Sequence, residues 1–281
     1  MPLVSCIIEG GLGNQLFQIF ATMEYAFKHN ISFYLPNFKG MMGNDSISHR
    51  PPYWNTFFKN LQQYIRDERL MNITVNYNEK EYFIYSEIPY FENYNIRLKG
   101  YFQNVKYFSE YSEKIIEKIG IRDFQKDIGD KYDFTNTISL HFRIGDYKSS
   151  SLHLITGIQY YINSLQKIIS LTDKDNYIIK YCHEDQDTIL VNSRVNILRK
   201  QFPGLTFERV DNTLNDWQQM LYMSLCDHNV IANSTFSWWS AYLNRNKNKI
   251  VCMPDKWLTD SFDISGLICN FYTIKDNSNN N

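Results

Sequence analysis

From Ile138 onward the chain repeats one pattern: a short apolar run, a turn, then a stretch with apolar residues at helical spacing. Ile138 to Phe142, Tyr177 to Tyr181, Leu205 to Val210, Asn229 to Ile231 and Ile250 to Met253 read as strands. Gly157 to Ser170, residues 186–200, Asp216 to Cys226 and Phe236 to Leu243 read as the helices between them. Such alternation specifies an α/β fold, a parallel sheet with helices on its faces.

The N-terminal half opens in the same way. Val4 to Ile8 reads as a strand, followed by Gly10, Gly11 and Gly13. Leu16, Phe20, Met23 and Phe27 then recur at helical spacing, and Ser32 to Leu35 reads as a second strand. Residues 36–100 mix aromatics, Asn and Pro51-Pro52, with a polar helix expected over 57–70. Ser109 to Ile119 reads as an amphipathic helix with Ser109 as N-cap. Residues 120–136 are polar with glycine-bounded turns, which places the domain boundary there: 1–130, 131–270, and a disordered tail over 271–281. Two α/β halves facing one another would place a ligand in the cleft between them.

A length of 281 residues suits one large domain or two smaller ones, and 43% hydrophobic residues suffice for a substantial core. A net charge of -1 with no long run of one sign provides no electrostatic footprint for nucleic acid. No apolar run approaches the ~18 residues of a membrane span. The apolar run Leu3 to Ile8 is short and lacks a basic n-region, which points to the cytoplasm, at most peripheral to a membrane. Five cysteines without CxxC spacing read as reduced thiols, most of them in apolar runs.

Three strand-to-helix turns carry chemistry. In GGLGNQ, Gly10 to Gln15, glycines let backbone N–H groups approach a phosphate at a helix N-terminus. The spacing is neither the GxGxxG dinucleotide fingerprint nor a Walker A loop, and a tight turn without ligand is the plainer reading. In SLHFRIGDY, Ser139 to Tyr147, His141 and Arg143 lie two apart at a strand end and point to one side. Arg143 suits a diphosphate, since its planar fork stays charged when half-buried. The alternatives are a structural ion pair of Arg143 with Asp146 and a core role for His141. In IANSTFSWWSAYL, Asn233, Ser234 and Thr235 enter a helix with hydroxyls and N–H groups suited to an anion. Phe236, Trp238 and Trp239 there read as core. No DxD motif or metal-ligand cluster occurs, so cationic side chains, Arg143 first, would do the work of a metal.

Together GGLGNQLFQ, HFRIGDY and NSTFSWW, in this order, resemble the α-1,2-fucosyltransferases of glycosyltransferase family eleven. The resemblance runs from Glu9 to about Trp257 and includes residues 216–243 and VCMPDKW. It implies the GT-B fold, two facing Rossmann-like domains with the donor site in the cleft. It implies GDP-fucose as donor, a glycan acceptor by default at a galactose 2-hydroxyl, inversion at the anomeric carbon, and no metal or other cofactor. Arg143 is then expected to hold the diphosphate and His141 the nucleotide. Asn14, with Gly11 and Gly13, would approach the phosphates, as would Ser234 and Thr235, with Asn233 beside them. Asp146 would serve as general base or orient Arg143. Two departures stand out. The family motif HxRRGDY has Ile144 at its second arginine, and its FSDD segment reads YCHED here, leaving Glu184 or Asp185 to accept from guanine. A different nucleotide sugar and a non-catalytic glycan-binding relative are the rival readings. A dinucleotide oxidoreductase is disfavoured for want of GxGxxG.

Overall fold

The computed structural model describes residues 2–42, 49–67, 69, 72–259 and 262–276. Both halves contain a parallel sheet. The chain divides into two units, Met1–Asp123 with Phe262–Cys269, and Phe124–Ser261 with Asn270–Asn281. The division therefore falls at Asp123, and a return segment belongs to the first unit, where the sequence had placed one boundary at 130.

In the first unit, β1 (Leu3–Cys6) leads through the glycine turn into α1 (Leu12–His29), which is buried along most of its length. The helix stops at Asn30, whose left-handed conformation (φ 49°) lets its N–H reach the carbonyls of Ala26 and Phe27. The single strand expected over Ser32 to Leu35 is two. β2 (Ser32–Phe33) pairs with β1, whereas β3 (Leu35–Pro36) pairs with β6 (Ile65–Arg66). Pro36 has no N–H to donate, so this stretch suits a short edge pairing. Between them β4 (Met41–Met42) and β5 (His49–Arg50) form an antiparallel pair. The polar helix expected over 57–70 is only a 3-10 segment, Lys59–Tyr64. Phe57, Phe58 and Leu61 are buried there, enough apolar surface for one turn, and Ile65 already belongs to β6. β7 (Val75–Asn78) and β8 (Ile96–Lys99) complete a parallel sheet of order β2-β1-β8-β7.

Helix α2 (Ser112–Ile119) starts three residues later than Ser109 suggested. Its start is capped from another helix: the buried Glu24 carboxylate of α1 accepts from the N–H of Glu110 (3.1 Å) and of Tyr111 (2.9 Å). Gly120, at φ 84°, ends α2. The region read as polar turns then holds a further helix, α3 (Ile121–Gly129). Ile121, Phe124 and Ile128 are buried at spacings of three and four, and the charged residues that masked this pattern form its outer face.

The second unit contains β9 (Thr137–His141), α4 (Ile158–Thr172), β10 (Ile178–Cys182), α5 (Thr188–Gln201), β11 (Thr206–Arg209), α6 (Asp216–Met223), β12 (His228–Val230), α7 (Thr235–Leu243), β13 (Val251–Pro254) and β14 (Tyr272–Ile274). All of these but β14 follow the expected elements within a few residues. The sheet order is β11-β10-β9-β12-β13-β14, and every pairing is parallel. Counted from β9 as the first strand, this is the 3-2-1-4-5-6 order of doubly wound nucleotide-binding sheets. Ile138 and Leu140 of β9 pack with Tyr160, Tyr161 and Leu165 of α4 and Val191 and Val195 of α5. Trp238 and Trp239 of α7 are fully buried. Together they remove roughly 400 Å² from water, about 10 kcal/mol of gross burial, and so fix where α7 begins.

The tail expected over 271–281 begins with structure, because β14 pairs with β13 through Tyr272, Thr273 and Ile274. These residues favour an extended strand and cover what would otherwise be an open sheet edge. Residues 277–281 lie outside the described residues. All five cysteines are free and four are buried, as expected of core thiols. No helix among the described residues is long and apolar enough to cross a membrane.

Candidate functional site

In an open α/β sheet, ligands gather at the carboxyl ends of the strands where the chain order reverses. In the second unit that point lies between β9 and β12. Two of the three sequence motifs flank it. His141 ends β9 and Arg143 follows, while Ser234 and Thr235 carry the chain from β12 into α7.

Arg143 is held at both ends of its fork. Nη1 donates to Glu184 and Nη2 to Asp146, and the guanidinium lies 5.1 Å from the centre of the Tyr147 ring. Burial opposes its charge, but Tyr147, Glu184 and Asp146 outweigh burial and raise its pKa, so it is cationic throughout. The ion pair with Asp146, weighed from sequence as a structural alternative, is present. A guanidinium has five N–H groups, so these bonds leave donors for a diphosphate.

The loop bearing Arg143 is fixed by residues that the sequence did not single out. Asp187 is fully buried, and its carboxylate accepts from the Gly145 N–H (2.7 Å) and from Lys148 Nζ (2.7 Å). A Cβ at Gly145 would lie 2.5 Å from Glu184 Oε2, so a larger residue there would push Glu184 away from Arg143. The Tyr147 hydroxyl donates to the Asn233 carbonyl (2.9 Å), joining the two motifs. Ile144, where the family motif has its second arginine, is 1% exposed and packs in the β9–α4 core. Position 144 lies beyond the end of β9, and its side chain turns into that core, which is why an apolar residue fits.

Asn233 is 1% exposed, and its amide is fully used. Nδ2 donates to the carbonyls of Leu154 (2.9 Å) and Trp257 (3.0 Å), and Oδ1 accepts from Thr156 (3.1 Å). Its side chain therefore braces the turn, with Ser234 as N-cap of α7 and Thr235 in the first helical position. The two carboxylates expected to read guanine are also engaged. Glu184 takes Arg143 and Gln186, and Asp185 takes Arg209. Charge pairing with a neighbouring strand carries no pattern in a single sequence, and neither do the roles of Asp187 and Tyr147.

His141 is 6% exposed, with its ring 5.4 Å from that of Phe236. Burial first, then Arg143 and His183, push its pKa down to about 3. It is a neutral imidazole, and its Nδ1 meets no partner among the described residues. Its carbonyl accepts from the Tyr161 hydroxyl (3.0 Å), which anchors the strand end to α4.

The third motif lies in the first unit at the corresponding reversal, between β1 and β8. Gly10 carries the positive φ (77°), Gly11 is the N-cap of α1 in extended backbone, and Gly13 and Asn14 sit in the first turn of α1. Asn14 Oδ1 accepts from Gln103 Nε2 (3.0 Å), a residue of the loop after β8. Gln18 ties the same two loops, accepting from the Glu9 N–H (3.0 Å) and donating to the Gly100 carbonyl (3.3 Å). Gln103 and Gln18 were not found from sequence, since both act across loops far apart in the chain. Two surface concavities of this unit, about 380 and 360 Å³, include none of the sequence-predicted site residues. Among the described residues, no group of three or more His, Cys, Asp or Glu is placed to hold a metal ion.

A sequence profile for the family described as Glycosyl transferase family 11 matches residues 52–265. Alpha-1,2-colitosyltransferase of Escherichia coli is 28% identical over 180 residues, covering 60% of this chain and 60% of that protein. The O-antigen biosynthesis glycosyltransferase WbnK of Escherichia coli is 33% identical over 129 residues, 43% of this chain and 39% of that protein. The matches thus span less than two thirds of either relative's length. Among solved structures, NodZ alpha-1,6-fucosyltransferase soaked with GDP-fucose aligns at 13% identity and TM-score 0.45, over 86% of this chain and 92% of that one.

Proposed function

Because the chain belongs to glycosyl transferase family 11, we propose that it is a metal-independent, inverting fucosyltransferase of GT-B type that moves L-fucose from GDP-fucose to a glycan hydroxyl, the 2-hydroxyl of a galactose. The observation that carries this reading is the placement of Arg143. It is a permanently charged fork at the chain reversal of the second sheet, beside the Ser234–Thr235 helix start.

The reaction is a single displacement. The acceptor oxygen forms a bond to the anomeric carbon as the bond from that carbon to the diphosphate oxygen breaks. The bonding pair leaves with GDP, and charge develops on the departing phosphate. Arg143 and the N–H groups at the start of α7 face that charge and stabilise it more in the transition state than in the bound donor. The acceptor proton passes to a carboxylate, for which Asp146 is the nearest candidate by chain position. His141, neutral at working pH, contacts the nucleotide, and in the first unit Gly11, Gly13 and Asn14 form a helix start of their own with backbone donors suited to a phosphate.

The test is calorimetric titration with GDP, GDP-fucose, GDP-mannose and UDP in EDTA, on wild type and Arg143→Ala. Binding of GDP and GDP-fucose that falls roughly 10- to 100-fold in the variant is expected, the scale of losing hydrogen bonds to a charged group. A wild type that binds UDP and not GDP would overturn the reading. A second reading is favoured by the colitosyltransferase relative: the transferred sugar is colitose on the same nucleotide. Faster turnover of GDP-colitose than of GDP-fucose would establish it.

A further inference from the structure

A ring nitrogen of His183, the residue that follows β10, has a lone pair that none of the described residues uses. Its Nδ1 lies 2.9 Å from the Glu184 carbonyl oxygen, which can only accept, so Nδ1 carries the hydrogen. Burial lowers the pKa of the ring, which is therefore neutral, and Nε2 is a bare acceptor. His183 is 7% exposed, and Nε2 has no partner among the described residues. Buried acceptors are nearly always satisfied, so such a group calls for a donor from elsewhere. The ring lies parallel to that of Tyr181 (12°, centres 6.0 Å apart), which defines its plane.

The position of this acceptor narrows the donor. In the 3-2-1-4-5-6 arrangement, the nucleoside lies over the carboxyl end of the second strand, where an acidic side chain accepts from a ribose hydroxyl. The second strand here is β10. The acidic residues that follow it each already hold protein partners: Glu184 takes Arg143 and Gln186, Asp185 takes Arg209, and Asp187 takes Gly145 and Lys148. We propose that His183 Nε2 takes their place and accepts a hydrogen bond from the nucleoside of the donor substrate, through an N–H of the base or a ribose hydroxyl. Nε2 is itself shielded from solvent, so its engagement requires a rotation of the ring or a shift of the turn Asp185–Asp187 that follows. The inference rests on the donor being a guanosine diphosphate sugar.

The experiment is titration of wild type, His183→Phe and His183→Gln with GDP and with four analogues, each lacking one donor. These are inosine diphosphate, N1-methylguanosine diphosphate, and the 2′-deoxy and 3′-deoxy forms of GDP. Loss of one neutral hydrogen bond weakens GDP binding to His183→Phe about tenfold. One analogue should then bind wild type about tenfold more weakly than GDP and be indifferent to His183→Phe, which identifies the donor. His183→Gln, with an amide oxygen near the place of Nε2, should recover most of the loss. Unchanged GDP affinity in His183→Phe overturns the proposal, as does an equal loss for GDP and all four analogues. A wild type that binds no GDP overturns the donor assignment itself, and is told apart by the absence of any wild-type signal.

Discussion

Asp187→Ala tests whether the loop bearing Arg143 is held by a buried carboxylate. The side chain of Asp187 has no exposed surface, and it accepts from the Gly145 N–H and Lys148 Nζ, each at 2.7 Å. The bond from Gly145 is charge-assisted and buried, so its loss, with the N–H left unpaired, costs about 2–3 kcal/mol. The Lys148 side chain is 49% exposed, so its share is screened to under about 1 kcal/mol. The sum for Asp187→Ala is about 3 kcal/mol, or about 6–12 °C in the unfolding midpoint of a unit this size. Asp187→Asn keeps an acceptor for Gly145 and should cost only about 1 kcal/mol. Thermal unfolding of both variants, with GDP titration alongside, measures this. The alanine variant should also bind GDP more weakly, because its loop is no longer pinned. An asparagine variant as unstable as the alanine one would refute the reasoning, since the charge and not the Gly145 bond would then dominate.

Other consequences follow from the same geometry. Gly10→Ala forces a Cβ onto a backbone with φ 77° and places it 2.6 Å from Asn14 Nδ2. About 1–2 kcal/mol of destabilisation is expected by chemical unfolding. Glu24→Ala removes the acceptor for two N–H groups at the start of α2, and should cost about 2 kcal/mol in the same assay. The pKa of His141 falls to about 3 in the folded chain, against ~6.5 unfolded. The unfolded chain therefore binds the extra proton between these values, and stability declines as pH drops from about 6.5 towards 3, by about 1.4 kcal/mol per unit from this residue. Unfolding of His141→Asn across that range should show a shallower acid slope. For the same reason GDP affinity should show no step near pH 6.5 arising from His141.

The strand and helix alternation after Ile138 was legible because both periods are strong there and each element carries its own apolar face. The three turns were legible because glycine, arginine and hydroxyl residues at strand ends have few other uses. The region from Lys59 to Arg66 and the segment after Gly120 were misread for opposite reasons. The first has polar helix formers but too little apolar surface to bury, and the second has a sound apolar stripe hidden among charges. Ser109 looked like an N-cap, but Glu24, some 85 residues earlier in the chain, supplies the acceptors. A local code cannot register a cap that arrives through tertiary contact.

By itself, then, the sequence determined the α/β class, the place of the glycine turn, and the position of Arg143 just past the end of β9. Each depends on neighbours within a few residues. Only the tertiary structure decided the strand order that puts β9 beside β12, and the pairing of Arg143 with Glu184 and Asp146. It alone decided the bracing use of Asn233 and the unmatched nitrogen of His183. Those properties depend on which strand ends meet and on which lone pairs burial leaves unpaired, and neither is set until the whole sheet has formed.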